Sequence, residues 1–459
     1  MKIYNYKFVL LISISFLFSI YLSFQYLNKY DNYSSYKNNE HPMIKTAVGN
    51  HYTEADRIIK YLKDKETYPL KQIPSDEFLP GKILALYFFI TGDDLYKDEI
   101  IKADNGKFLY LLLKSLTYYL LIYLFYKKIF KIFPQNVCFF LIFFLCLSPD
   151  IFQYHSSFWN ESLFFSLQII LLFFLIEFKK NFINNFLLGV STGSLYLISQ
   201  EYFFYVIVIL LYYSFIFFRY KNFLIKPFIS FLIGYLIIIL SVSYFNFKRT
   251  DVYGAGLSGL KSAPYMYIVP LILSHKENKT EIEIISNLKK EDILWAKKNK
   301  IEIIDNDNFI LKFKNNEFKQ LEKYHNYIFI RSIKIILKNP ISLITIFYNK
   351  SFHLITLNPF YVKYFYKYDG KSEFLKTVEH KKQILIRIIY SIVFYMIILI
   401  GFFKSIKNIK PELMFVLSIS ILYIILIMNL LAAPRYFTPA LIFMSPFFGF
   451  FFNKNKTQD

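Results

Sequence analysis

The sequence predicts an all-α polytopic membrane protein with about ten transmembrane helices and two long segments on one face of the membrane. Three observations support this fold class. Hydrophobic residues make up 55% of the 459 residues, and the mean hydropathy is +0.35. Apolar stretches of about 17 to 25 residues, the length that crosses a hydrocarbon core, recur along the chain. Lysine clusters separate these stretches in the pattern that the positive-inside rule produces.

Ten apolar segments are candidate spans, and several of them are short. They are 8–27, 107–126, 135–149, 161–178, 183–199, 202–218, 227–246, 385–403, 412–431 and 437–452. The first has a basic N-terminal flank but no small-residue cleavage site, so we expect a retained span rather than a signal peptide. These spans divide the chain into an N-terminal transmembrane region (1–246), an outer-face segment (247–384) and C-terminal transmembrane helices (385–459).

Basic clusters predict the orientation of the spans. With ten crossings, all of the clusters fall on one face, which the positive-inside rule makes cytoplasmic. The clusters are Lys2 with Lys7, Lys127 to Lys131, Lys179 with Lys180, Arg219 to Lys226, Lys404 to Lys410, and Lys454 with Lys456. Segments 28–106 and 247–384 then lie on the opposite face, which we expect to be the periplasmic side of a bacterial inner membrane. The same rule accounts for the net charge of +21 without a nucleic-acid partner.

Two further apolar segments are expected to lie at the membrane surface. Residues 341–357 are interrupted by Lys350 and His353, and a crossing there would turn the lysines after 403 outward. Residues 82–91 are too short to cross. Between these two segments, the pattern of 270–340 is compatible with either helix or strand.

The sequence contains no motif for several classes of cofactor. Cys138 and Cys146 lie inside one apolar run, and they provide no disulfide framework. The chain has neither C-x-x-C nor H-E-x-x-H spacing, and we see no Gly-rich phosphate loop. We therefore expect no structural zinc site and no nucleotide cofactor.

Charged residues at the outer mouths of the spans are the candidate functional groups, because charge inside hydrocarbon is costly. Glu54 and Asp56 follow the first span, Glu161 and Glu201 open later helices, and Arg435 precedes the last helix. An acidic residue in the first turn of a helix also has a purely structural explanation as a cap. Arg435 would equally serve as an interfacial anchor.

Two further candidate residues, Lys114 and His155, give a less specific indication of function. Lys114 lies about two turns inside the second span, where it is placed to reach a lipid phosphate, although snorkelling to the interface explains it equally well. His155 is placed to line the site, and local hydrogen bonding is the alternative role.

Five segments resemble, in order, motifs of one enzyme family. They are TEADRIIKYL (53–62), FLPGKILALYFFITG (78–92), LSPDIFQYHSSFWNESLFFSLQIILLFF (147–174), LLGVSTGSLYLISQE (187–201) and PRYFTPALIFMSP (434–446). The family is the GT-C type of membrane glycosyltransferase, family 39 or PMT-like, which includes protein mannosyltransferases and lipid A aminoarabinose transferases. There are two departures: Ser199 and Gln200 stand where Arg-Pro is usual, and Glu54 replaces the commoner aspartate.

The resemblance implies a function for the outer face. It implies inverting transfer of a sugar from a polyprenyl-phosphate donor to an envelope glycan, lipid or protein acceptor, in contact with membrane lipids. A carboxylate can act as general base and a cation can bind phosphate, so we expect Glu54 or Asp56 to be the base. The remaining residues have two expected roles: phosphate binding for Arg435 and Lys114, and orientation of sugar hydroxyls or a divalent ion for Glu161, Glu201, His155 and Tyr436.

Two other functions stay open. An O-antigen polymerase or ligase would use related chemistry, and the lysine-rich stretch 247–340 is compatible with binding a diphosphate. A lipid or polysaccharide transporter or flippase is the alternative of another class, although polar midplane residues and an internal repeat, which are typical of transporters, are not evident.

Overall fold

The structure is a computed structural model, and among the residues that it describes every regular element but one is an α-helix or a 3₁₀ helix. The exception is a short antiparallel ribbon, Ile303–Asp305 with Lys312–Phe313. The residues that the structure describes are 2–31, 55, 58–59, 79–91, 105–155, 161–176, 180–221, 225–253, 258–301, 303–305, 310, 312–313, 318–354, 378–431 and 437–453.

The described helices are numbered in chain order. They are α1 (Lys2–Asp31), α2 (Pro80–Thr91), α3 (Asn105–Ile129), α4 (Gln135–Leu147), α5 (Pro149–His155), α6 (Glu161–Leu175), α7 (Phe182–Ile198), a 3₁₀ helix (Gln200–Phe204), α8 (Tyr205–Tyr220), α9 (Ile225–Thr250), α10 (Ser258–Tyr267), α11 (Val269–Glu277), α12 (Glu281–Lys298), α13 (Phe318–Lys338), α14 (Pro340–Leu354), α15 (Val378–Ser405), α16 (Pro411–Leu431) and α17 (Thr438–Phe451).

The predicted all-α membrane fold is confirmed in its coarse form. All ten predicted segments fall on helices, and five helices are long and apolar enough to cross a membrane. Those five are Tyr6–Phe24, Phe108–Ile129, Gln200–Tyr220, Ile225–Lys248 and Leu385–Ser405. The other five are shorter apolar helices, so ten crossings and the orientation remain predictions. The segment predicted to lie on the surface at 341–357 corresponds to α14, which is not among the five.

One end of the helix bundle collects basic side chains, and we call it the basic end. Lys128 at the end of α3 donates to the backbone carbonyl of Phe173 near the end of α6. Lys404 near the end of α15 donates to the carbonyl of Phe451, with 2.8 Å between Nζ and the oxygen. Free carbonyls at a helix C-terminus attract cations, so these contacts suit the helix dipoles. We call the opposite end of the bundle, where Lys114, His155 and Glu201 lie, the distal end.

Close backbone contact fixes the pairing of α7 with α9. A Cβ atom added to Gly189 would lie 2.1 Å from the carbonyl oxygen of Phe231. One added to Gly234 would lie 2.2 Å from the carbonyl oxygen of Phe186. Small residues let apolar helices approach closely, and van der Waals packing then holds them together in lipid.

This contact predicts a graded response to alanine. Gly189→Ala and Gly234→Ala should each destabilise the protein by about 3 kcal/mol, because backbone atoms cannot yield. Gly193→Ala is the milder control, since its new methyl would meet side-chain atoms of Ile238 at 2.9 Å. Thermal midpoints of the detergent-solubilised protein measure the effect. Equal midpoints for the three variants would contradict the close contact.

Helices α10 to α13 form a separate helical subdomain that follows α9. Its core contains Tyr265, Leu288, Tyr324 and Ile328, all buried. A capping box at Thr280 begins α12, with the hydroxyl accepting from the Glu283 backbone and the Glu283 carboxylate accepting in return. The structure thus resolves the stretch 270–340, where the sequence left helix and strand open, mainly in favour of helix.

A buried carboxylate organises this subdomain. Asp292 is fully buried and accepts hydrogen bonds from the hydroxyls of Tyr265 at 2.8 Å and Tyr324 at 2.9 Å. Arg331 donates to it from Nη1 at 3.0 Å and also pairs with Glu291. Burial raises the pKa of Asp292 to about 6 against the pull of these donors. The network ties α10, α12 and α13 together.

The raised pKa predicts pH-dependent stability. Because the folded pKa lies above the ordinary value of 3.8, the free energy of unfolding should fall as the pH rises from 4 to about 6. Asp292→Asn should remove up to about 3 kcal/mol of that dependence. Fluorescence of Trp295, which stacks on Tyr327 with ring centroids 4.5 Å apart, reports unfolding locally.

The exposed Asp251 provides the matched control. Asp251→Asn should leave the pH dependence of unfolding as it is in the unaltered protein. If Asp292→Asn keeps the full dependence between pH 4 and 6, Asp292 does not titrate in that range.

Candidate functional site

The distal end of the bundle holds those predicted site residues whose side chains the structure describes: Lys114, His155 and Glu201. Four others, Glu54, Asp56, Arg435 and Tyr436, lie outside the described residues, and so does the side chain of Glu161.

Lys114 and His155 are brought together. Lys114 is 2% exposed, and its ammonium donates to the backbone carbonyl of Tyr154, the neighbour of His155, at 3.3 Å. The Lys114 charge acts directly on the His155 ring. His155 is fully buried, and neither ring nitrogen has a hydrogen-bond partner among the described residues. The pair therefore combines a buried cation with an imidazole whose ring nitrogens are bonded by none of the described residues.

A short helix that begins directly after a break in the chain positions His155. The chain leaves α4 at Ser148 in an extended conformation, and Pro149 begins α5, consistent with the preference of proline for a first helical turn. The His155 ring lies on Tyr118 of α3, with ring centroids 3.8 Å apart. Ser115 donates to the His155 carbonyl at 3.3 Å. These contacts hold α5 against α3.

Two described residues of the predicted outer segment 28–106 lie near Lys114. Ala55 and Ile59, both buried, belong to one apolar cluster with Tyr110 and Leu111 of α3. The ammonium of Lys114 lies over the Tyr110 ring, 5.3 Å from its centroid. Ala55 therefore lies close to the Lys114 end of α3.

Glu201 forms a second contact set at the distal end. It is 7% exposed, and its carboxylate accepts from the hydroxyl of Ser199. The hydroxyl of Tyr423 on α16 donates to its backbone carbonyl at 2.6 Å. The backbone of Leu79, just before α2, donates to the Leu197 carbonyl at 2.8 Å, so α2 begins beside this set.

Sequence reasoning missed two charged residues at this end, Asp150 and Arg387. Asp150 is 5% exposed in the first turn of α5, and Arg387 is half-buried near the beginning of the α15 span. Asp150 follows Ser148-Pro149 inside one of the quoted motif segments, and Arg387 is one of few arginines. A charge beside an apolar run was the available signal for both.

Among the side chains that the structure describes, no group of three or more His, Cys, Asp and Glu residues is arranged to hold a metal ion. Compared with protein-family models, curated proteins and solved structures, the chain matches none of them.

Two substitutions of His155 should distinguish the effect of its packing on stability from the effect of its polar atoms. His155→Ala should lower the free energy of unfolding by roughly 2 kcal/mol or more, because it opens a cavity against Tyr118. His155→Phe retains a ring and removes two unsatisfied polar atoms, so its thermal midpoint should equal or exceed that of the unaltered protein. A marked loss of stability in the phenylalanine variant would mean that the ring nitrogens are bonded.

Proposed function

We propose that this protein is an integral membrane glycosyltransferase that moves a sugar from a polyprenyl-phosphate donor to an envelope glycan, lipid or protein. The reaction takes place on the periplasmic side of the inner membrane and inverts the anomeric centre. The resemblance of five sequence segments to the GT-C family supports this assignment, together with the charges gathered at the distal end of the bundle.

The buried ammonium of Lys114 is the observation that carries the proposal. An ammonium at this depth can pair with the phosphate of a lipid-linked sugar, and the apolar side chains of the bundle would accept the lipid tail. Ala55, which lies between Glu54 and Asp56 in the sequence, belongs to an apolar cluster at the same end of α3.

The chemistry needs one base and one phosphate site. The acceptor hydroxyl oxygen attacks the anomeric carbon while its proton passes to the carboxylate of Glu54 or Asp56. The bond from the anomeric carbon to the phosphate oxygen breaks, and the electron pair leaves with polyprenyl phosphate. Lys114 and Arg435 stabilise that anion. Attack opposite the leaving group inverts the sugar. Glu161, Glu201, His155 and Tyr436 are proposed to orient sugar hydroxyls or a divalent ion.

A transporter would distribute its polar groups differently. Transporters bind substrate near the bilayer midplane, commonly at broken helices. Here the buried charges Lys114, Asp150 and Glu201 lie toward one end of the bundle. This placement favours chemistry at a membrane surface over passage through the bilayer. An O-antigen polymerase or ligase would differ from the proposed enzyme in making products of increasing length.

Transfer of labelled sugar tests the proposal. Membranes containing the full chain and endogenous acceptors are supplied with polyprenyl-phosphate hexoses and pentoses labelled in the sugar. The double variant Glu54→Ala, Asp56→Ala should show no transfer above background, because no base remains. Lys114→Met should lose about tenfold or more, as expected for a charged hydrogen bond to phosphate.

Lys127→Met is the matched control, since Lys127 is an exposed lysine of the same helix at the basic end. It should transfer sugar at the normal rate, and all variants should insert into the membrane normally. Full activity in the double variant would refute the assigned base. Labelled lipid that crosses vesicles without a glycosyl product would favour the transporter, and a ladder of long products would favour the polymerase.

A further inference from the structure

Arg387 lies where a charged side chain is uncommon. It is the third residue of the apolar span Leu385–Ser405 within α15. Its Nε atom is buried and has no hydrogen-bond partner among the described residues. Arginine keeps its charge in proteins, so burial at this position requires an anion nearby and leaves hydrogen-bonding capacity to be filled.

Asp150 is the carboxylate that the described residues bring to Arg387. The two side chains interact electrostatically, and Asp150 is almost fully buried. The packing of α4 on α15 brings the two segments near each other. The rings of Phe144 on α4 and Phe394 on α15 stack with centroids 5.5 Å apart. From that contact α15 extends about 10 Å toward the distal end to reach Arg387, and α4 ends three residues after Phe144, shortly before Asp150.

The same region contacts the beginning of α17. Tyr395 of α15 lies against Phe437, with ring centroids 6.1 Å apart, and it also interacts electrostatically with Asp150. Phe437 is buried and comes directly after Tyr436 in the sequence. Three parts of the chain therefore meet here: the short helix α5, the span α15 and the entry to α17.

Helix α5 links this region to the site already described. Asp150 lies in its first turn and His155 at its end, so the two positions are about 8 Å apart along the helix. Arg387 thus interacts with the beginning of α5, and Lys114 with its end. An anionic group bound along α5 would have a cation available near each end.

We propose that Arg387 is a phosphate-binding residue of the transferase site, positioned by Asp150, and that its ligand is the phosphate of the lipid-linked donor. This inference rests on the proposed function. A planar guanidinium can give two parallel hydrogen bonds to a phosphate, which the point charge of a lysine cannot do. The apolar end of α15 beside Arg387 suits a ligand whose phosphate is attached to a long hydrocarbon.

Other arginines have different surroundings. Arg331 is already engaged by Asp292 and Glu291 in the subdomain of α10 to α13. Arg219 is exposed in the last turn of α8, at the basic end. Arg219 therefore provides a matched control: it is an arginine on a membrane-spanning helix, but far from the proposed phosphate.

Direct binding tests the inference without requiring sugar transfer. The purified full chain in detergent is titrated with a short-chain polyprenyl phosphate and, separately, with the same polyprenol lacking phosphate. Arg387→Met should weaken binding of the phosphate by about tenfold or more and leave polyprenol binding unchanged. The affinity of Arg387→Lys for the phosphate should lie between those of the unaltered protein and Arg387→Met, because lysine keeps the positive charge but lacks the planar guanidinium. Arg219→Met should bind as the unaltered protein does.

The outcomes separate the inference from the function on which it rests. Equal phosphate binding by the unaltered protein and Arg387→Met would overturn the role of Arg387 and leave the transferase assignment standing. Loss of both ligands together with a lower thermal midpoint would make Arg387 structural and overturn it as well. If phosphatidylglycerol competes as well as polyprenyl phosphate, the ligand assignment is wrong. If the unaltered protein binds polyprenyl phosphate no better than polyprenol, the proposed function itself fails.

Discussion

The fold depends on where an apolar helix bundle can place its charges. Its outward helix faces carry exposed leucine, isoleucine and phenylalanine, such as Leu120, Leu240 and Ile392, so charges are confined to the two ends of the bundle. At the basic end, lysines such as Lys128 and Lys404 meet backbone carbonyls near helix C-termini. At the distal end, Lys114, Asp150 and Glu201 are buried within the bundle. The proposed ligand site is assigned to that end because its charged groups are held away from solvent.

Sequence alone was sufficient for features that depend on local composition. Runs of apolar residues predicted the positions of the helices, and the lysine clusters between the runs predicted where the helices end. Both signals could be used because each depends on one contiguous segment of the sequence. Lys114 could be found for the same reason, as a charge inside such a run. The stretch around Asp292 could not be assigned in advance, because its alternation of Ile, Lys and Asn suits either period. The capping box at Thr280 and the buried carboxylate settle it as helical.

Asp150 and Arg387 could not be identified because their importance comes from contact between distant segments. In the sequence, Asp150 is a turn residue after Ser148-Pro149, and Arg387 is a flank of an apolar run. The stacking of Phe144 on Phe394 puts α4 beside α15, and the two charges interact as a result of that packing. The position of Glu201 at the beginning of a helix could be predicted from the sequence. Its contacts with Ser199 and Tyr423, which form a set separate from that of Lys114 and His155, could not.

Three buried polar groups of this protein differ in how completely described residues satisfy their hydrogen-bonding capacity. Asp292 accepts from two tyrosines and one arginine, so its network stabilises a subdomain and has little left to offer a ligand. His155 and the Nε of Arg387 are buried with donors or acceptors that no described residue fills. A buried polar atom without a hydrogen bond lowers the stability of a protein, and a hydrogen bond from a ligand recovers that free energy. The short helix α5, which Pro149 begins directly after α4, carries Asp150 to Arg387 and His155 to Lys114. The break between α4 and α5 thereby brings charged residues together at the distal end.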